Sequence, residues 1–188
     1  MELLDAHGEA MAVFDRAVRA IEDDQWDTPT PCTEWSVRDL LNHLVVEQLW
    51  VPPLLDGATI DQVGDRFEGD QLGSDPVARW SAASAAAREA WTRPGALDGR
   101  VHLSFGLAPA TEYGWQMTLD LAVHGWDMAT AVGSPDGPHD ELARSLLDVF
   151  EPDIPSWRDS GLFAPPVAVG ADAGPATRLI ALLGRQPA

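Results

Sequence analysis

Thr111-Glu-Tyr-Gly-Trp-Gln-Met-Thr-Leu-Asp120-Leu-Ala-Val-His124-Gly-Trp-Asp127-Met-Ala-Thr-Ala-Val132 is a long proline-free run closed by Gly133. It reads as one helix, with the glycine just past its last turn, where a left-handed backbone suits a residue without Cβ. Within it Asp120 and His124 stand four residues apart, which places them on the same face, and that stripe continues with Asp127. A matching string, His43-Leu-Val-Val-Glu47, lies inside a second helix from Val37 to about Trp50. Ser36 and Asp39 form its capping box, and Pro52-Pro53 are expected to close it. Its inward stripe should be Leu40, His43, Leu44, Glu47 and either Trp50 or Val51.

Two more helices flank this pair. Leu4, His7, Met11, Phe14, Val18 and Ile21 recur at steps of three and four, the mark of one buried stripe. Asp75 and Pro76 are an N-cap and a first helical position, opening a helix that passes Trp80 and an alanine-rich run to about Thr92. Between the second and third helices, Asp56 to Ser74 is rich in Gly and Asp and has no period. Extended, it spans about 60 Å against about 25 Å for a helix, so the third helix can run parallel to the second. Gly95 to Pro109 reads as irregular, with Val101 to Phe105 as a short strand. Beyond Gly133, Asp140 to Phe150 is a fifth helix, Phe163 to Val169 an extended segment, and Pro175 to Leu183 a last helix ended by Gly184. The expectation is a mostly all-α fold, an antiparallel four-helix bundle in a single domain over residues 1–188. The bundle would occupy about 1–133, and a C-terminal extension about 134–188.

The formal net charge of −18, with no local cluster of cations, opposes phosphate backbones and anionic membrane, so no nucleic-acid partner is expected. No apolar run approaches the about 18 residues of a membrane span. Met1 to Glu9 lacks the charged and apolar parts of a signal peptide, and the single Cys32 has no internal disulfide partner; together these point to the cytoplasm.

His43, Glu47, Asp120, His124 and Asp127 would bring two imidazoles and two or three carboxylates into a bundle core. Buried charge needs compensation, and a divalent cation supplies it. The other reading makes each histidine a hydrogen-bonded core residue. Taking the first two helices as an adjacent antiparallel pair puts His7 about eight residues, or about 12 Å, from His43 in height, so His7 reads as a structural or mouth residue. His102 and His139 fall in loops. Cys32 would need a depressed pKa to act as a nucleophile, and its Pro-Thr-Pro-Cys setting reads instead as a packed loop corner.

Three strings occur in one order: Pro29-Thr-Pro-Cys-Thr-Glu-Trp-Ser-Val-Arg-Asp-Leu-Leu-Asn-His43, Val123-His-Gly-Trp-Asp-Met-Ala-Thr-Ala-Val-Gly133 and Arg178-Leu-Ile-Ala-Leu-Leu-Gly-Arg185. Together they resemble the DinB-like superfamily of metal-binding proteins that includes mycothiol-dependent maleylpyruvate isomerase. The resemblance implies an up-down-down-up bundle with a divalent metal, most often zinc, near one mouth. Carried over by position, the ligands are His43, Asp120 and His124. The isomerase pattern has Glu at Asp120, so the shorter arm must reach from a different backbone position. The chain is also short for the isomerase's full C-terminal domain. The implied activity is that of a metal-dependent S-transferase or isomerase joining a low-molecular-weight thiol such as mycothiol to a small electrophilic substrate. Three protein ligands leave coordination positions open for that chemistry. Glu47 and Asp127 are the candidate catalytic residues, as proton acceptor or as the acceptor that orients an imidazole. The alternatives are a metal-dependent hydrolase or lyase and a non-catalytic binding bundle. The partners expected are the small substrate and the thiol, with the chain a monomer or homodimer.

Overall fold

The computed structural model describes residues 1–134, 136–152 and 163–187. Its helices are α1 (Leu3–Arg19), α2 (Val37–Leu55), the short α3 (Ile60–Val63), α4 (Pro76–Thr92), α5 (Ala110–Val132), α6 (Asp140–Phe150) and α7 (Pro175–Leu182). Between α4 and α5 lies a hairpin of β1 (Arg100–Leu103) and β2 (Gly106–Pro109), in which Val101 pairs with Ala108 and His102 with Leu107. The strand expected at Val101 to Phe105 is β1, ending at Leu103, and its partner β2 lies in a stretch expected to be irregular.

The most extensive contacts are α1 on α5 and α2 on α4. Residue pairs fix the directions. Gly114 meets Leu3 while Gly125 meets Val13 and Phe14, so α1 and α5 run parallel. His7 meets Trp91 while Trp80 Nε1 donates to Asp15, so α1 and α4 are antiparallel. His43 lies beside His124, and Val51 and Leu54 share a cluster with Tyr113 and Met117, so α2 and α5 are antiparallel. This is the up-down-down-up bundle, with α3 and the chain around it forming the long crossover that makes α4 parallel to α2. A large apolar core joins all four helices to α6 and α7 through Leu142, Leu146, Leu179 and Leu183. No described helix is long and apolar enough to cross a membrane.

Small residues set the seam between α1 and α5. Ala6, Ala10 and Ala17 are fully buried, and a Cβ built on Gly125 would lie 2.9 Å from Val13 Cγ1. The buried face of α1 is therefore rotated toward its alanines, leaving Leu4 and Met11 half-buried.

Three sequence expectations about α2 and His7 are corrected. First, α2 runs through Pro52 and Pro53 to Leu55. Proline has a helical φ but lacks the N–H and crowds the carbonyl four residues back, so it is tolerated here close to the helix end. The Asp56 and Ala58 N–H groups bond Pro52 and Pro53 carbonyls at 3.0 and 2.9 Å, carrying the ladder past the gap. Second, the core stripe of α2 is Leu40, Leu41, Leu44, Val45, Gln48 and Val51, with His43, Glu47 and Trp50 half-buried on its flank. Third, α1 and α2 stand diagonally rather than as an adjacent pair, so the height of His7 relative to His43 does not decide its role. His7 is buried beside α4, its Nδ1 3.3 Å from Arg88 Nη1. Burial first, and the Arg88 charge second, pull this imidazole down to about 3. The structural reading of His7 holds.

Elsewhere α3 was not foreseen, because four residues are too few to show a period; a Thr59–Gln62 capping box holds it. Phe163 to Val169 forms no strand, although the Val167 N–H bonds the Ala181 carbonyl at 2.8 Å. His139 caps α6, its Nδ1 accepting from the Leu142 N–H at 3.2 Å.

Candidate metal centre

The loop before α2 brings an aromatic wall to the mouth of the bundle. Pro29 bridges Ser36, the Thr30 N–H bonds the Trp35 carbonyl at 3.0 Å, and Glu34 turns the chain with a φ of 76°. Trp35 is thereby laid on His43, with ring centroids 4.8 Å apart, and near His124 at 5.8 Å.

Behind this wall α2 supplies His43 and α5 supplies Asp120 and His124. His43 Nε2 lies 3.4 Å from Asp120 Oδ2, and His124 Nε2 lies 3.4 Å from Asp120 Oδ1. Charge-assisted N–H···O bonds are about 2.7–2.9 Å, shorter than either. Asp120 Oδ2 is enclosed and meets no hydrogen-bond donor among the described residues. A carboxylate oxygen left so, between two imidazole nitrogens, fits a cation. One donor atom from each of the three residues lies within 4.8 Å of the others. A tetrahedral zinc with bonds of about 2.0–2.2 Å would hold such donors about 3.3–3.6 Å apart, and the two imidazole-to-carboxylate distances of 3.4 Å fall in that range, so the residues present fit that group.

The protonation equilibria respond to one another. Burial raises the Asp120 carboxyl, but the charge of His124, the adjacent His43 imidazole and the more distant Arg185 outweigh it, and the net shift is downward. Burial lowers the His43 imidazole, yet the adjacent Asp120 carboxylate, aided by Glu47, brings it out raised. Glu47 is pushed up to about 7, chiefly by burial and then by the Asp120 charge, with His43 and His124 opposing. Tyr113, buried one element across, has a hydroxyl without a bonding partner among the described residues. Burial raises it well above the usual phenol, and the charges of Glu47 and Asp120 add to that.

A second layer lies behind His124. Its Nδ1 is 3.0 Å from Asp127 Oδ2, and Asp127 is gripped from the other side by Arg185, whose Nη2 donates to the same oxygen at 2.8 Å. Cys32 is half-buried beside this layer, and its thiol could join His124 and Asp127 as an alternative donor set. That set is the poorer one, since the carboxylate is committed to Arg185 and the imidazole nitrogen to the carboxylate. Burial raises the Cys32 thiol; Arg185 opposes this, and Asp127 and Asp120 add to it. A raised thiol is a weak nucleophile, which agrees with the loop-corner reading.

A cavity of about 750 Å³ opens beside the centre, with Asp120 and His124 in its wall. Trp115, Leu119 and Val123 of α5, Val149 and Phe150 of α6, and Phe105 of the hairpin turn give it a largely apolar lining. Of the five residues singled out in the sequence, His43, Asp120 and His124 come together, Glu47 lies within electrostatic reach, and Asp127 stands behind His124. Arg185 and the wall from α6 were missed. Arg185 lies within a string used only for resemblance, and its 58-residue separation from Asp127 leaves no periodic signal.

A sequence model of the mycothiol maleylpyruvate isomerase N-terminal domain matches residues 7–129. The uncharacterized proteins Rv0738 and MT0763 of two Mycobacterium tuberculosis strains (ATCC 25618 / H37Rv and CDC 1551 / Oshkosh) are each 31% identical over 191 residues, covering 98% of this chain and 98% of their own. Crystal structures of the mycothiol-dependent maleylpyruvate isomerase and of a point mutant are similar in fold, with TM-scores of 0.67 and 0.66. They cover 88% of this chain and 72% of theirs, at 16% and 14% identity.

Proposed function

The chain belongs to the mycothiol maleylpyruvate isomerase N-terminal domain family, and from that premise we propose that it is a metal-dependent enzyme joining a low-molecular-weight thiol, mycothiol or a close analogue, to a small electrophile by S-transfer or isomerisation. The observation that carries this reading is the convergence of His43, Asp120 and His124 around the undonated Asp120 Oδ2. A divalent metal there, zinc by the donor set, would supply the Lewis acidity that keeps a thiol as thiolate at neutral pH.

The remaining work falls to the chain's own side chains. Glu47, raised to about 7, is poised to take the thiol proton near neutrality. Asp127 orients the His124 ring through Nδ1. Trp35 lies against His43 and near His124, covering part of both imidazoles. The walls formed by Trp115, Leu119, Val123 and Val149 suit the apolar body of a small substrate, placed with its reactive carbon toward Asp120 and His124.

The test is metal content together with thiol dependence. Purified protein should hold close to one divalent ion per chain, and the His43→Ala/His124→Ala double variant should hold none while keeping its helical signal. Zinc-loaded protein should consume maleylpyruvate or 1-chloro-2,4-dinitrobenzene only when mycothiol is added. Full metal occupancy in the double variant would sink the ligand assignment. Metal-dependent turnover without thiol would make the protein a hydrolase or lyase, and tight binding without turnover a binding protein.

A further inference from the structure

Asp127 is completely buried and Arg185 is 10% exposed, an ion pair closed off from solvent. The guanidinium meets the carboxylate as a fork, Nη2 to Oδ2 at 2.8 Å and Nε to Oδ1 at 3.3 Å, while Nη1 donates to the Leu183 carbonyl at 3.0 Å. Oδ2 is also the oxygen that faces His124 Nδ1 at 3.0 Å. Guanidinium, carboxylate and imidazole thus stand in series, and the series ends at His124 Nε2, which faces Asp120.

The backbone delivers Arg185 to this point by construction. Gly184 takes a φ of 80°, and a Cβ on it would collide with the Ala164 backbone, so the turn that follows α7 is open only to glycine. The Arg185 N–H then bonds the Ile180 carbonyl at 3.1 Å. A guanidinium offers donors only, so a carboxylate forked by it stays an acceptor with a fixed plane. Of the two carboxylates that face the ring, Asp127 is the nearer, at 3.0 Å from Nδ1 against 3.4 Å between Nε2 and Asp120 Oδ1, so the hydrogen of the neutral ring belongs on Nδ1 and the Nε2 lone pair is directed at the space shared with His43 and Asp120.

We propose that Arg185 is a positioning residue for the metal centre: by fastening the C-terminal tail to Asp127 it holds His124 in the Nδ1–H tautomer, with Nε2 free for the ion. Tail docking and metal occupancy are then linked. Whatever factor the docked tail adds to metal affinity, the metal adds to docking of the tail. The inference rests on the metal reading of His43, Asp120 and His124.

The test uses the full chain as wild type, Arg185→Met and Arg185→Lys. The methionine fills the buried space if loss of charge and shape together prevents folding of smaller replacements, and the lysine keeps the charge without the fork. Nitrogen NMR of the zinc-free proteins reads the His124 tautomer, and chelator competition at one pH reads zinc affinity. Amide exchange at Leu183 to Gln186, with and without zinc, reads docking. Wild type should show the Nδ1–H form and slower tail exchange when zinc is added. Arg185→Met should mix the tautomers, weaken zinc by about 10–100-fold, the usual effect of losing a partner behind a ligand, and lose the zinc effect on exchange. Arg185→Lys should fall between the two. Variants that melt earlier but keep the tautomer and bind zinc within about twofold of wild type would make Arg185 merely structural and overturn the proposal. If wild type binds no zinc, the metal reading itself fails, and the tautomer comparison still decides whether Arg185 positions His124.

Discussion

Replacing Asp127 by alanine strands the Arg185 guanidinium in an interior that leaves it 10% exposed. Removing one partner of a buried ion pair costs about 3–5 kcal/mol, because the survivor keeps its desolvation penalty and loses its compensation. For a chain of 188 residues, at about 2–4 °C per kcal/mol, the melting temperature should drop by about 6–20 °C. Arg185→Met should cost a similar amount by stranding the carboxylate, which would then keep His124 alone as its partner among the described residues. The double variant Asp127→Ala/Arg185→Met carries neither buried charge. It should recover most of the summed loss and retain a deficit of about 1–3 kcal/mol for the His124 Nδ1 donor left without an acceptor. Urea unfolding of all four proteins with a chelator present, followed by the helical signal, gives the coupling energy, which should be at least about 3 kcal/mol. Additive losses would show that the two side chains do not depend on each other, and the account of the second layer would be wrong. A single cooperative transition in the same experiment is expected, since Leu142 and Leu179 share one core with α1, α2 and α5.

Asp120→Asn should weaken zinc by more than about 100-fold, and Glu47→Gln by less than that, because the first loses a charged ligand and the second a nearby carboxylate at most; chelator titration at a single pH orders them, and the reverse order would remove Asp120 from the ligand set. In metal-free protein, folded Glu47 holds to about pH 7 a proton that the unfolded chain releases near its ordinary value, so stability falls as pH rises through that window. The raised His43 loses its contribution in the same direction as pH passes its folded value. Urea midpoints at about pH 5 and about pH 7.5 should therefore show a drop, of which about 2–3 kcal/mol disappears in Glu47→Gln. Cys32→Ser should keep full metal content and most activity, as its raised thiol is in the poorer donor set; loss of metal would make Cys32 a ligand.

The four long helices were legible for different reasons: α1 by its repeating stripe, α2 and α4 by their side-chain caps at Ser36 and Asp75, and α5 by its length and terminal glycine. The capping box at Ser36 and the glycine at 133 fall where the residues place them. What periodicity could not supply was rotation about the helix axis. On α2 an apolar stripe through Leu41 and Val45 competes with one through His43 and Glu47, and only the neighbours decide that the first faces the core. His43, Asp120 and His124 were legible as a set only through resemblance to a family. Two i,i+4 pairs on separate helices do not by themselves meet. Arg185 and the α6 wall depend on the path of a C-terminal segment that carries no repeat, so nothing local in the sequence points to the centre they complete.

The up-down-down-up arrangement has an electrostatic consequence at the mouth. The end that holds the centre receives the N-termini of α2 and α4 and the C-termini of α1 and α5. Each N-terminus carries roughly +0.5 of an elementary charge and each C-terminus roughly −0.5, so the four macrodipoles cancel there. A bundle of parallel helices would impose a field of fixed sign on anything arriving at that end, whether thiolate or cation. Here those four helices contribute almost none, and the backbone's remaining share comes from the C-terminus of α6, which ends in the cavity wall at Phe150. The local potential is otherwise set by a handful of side chains, and a single acidic or amide exchange at position 47, 120 or 127 can reset it without any change of fold.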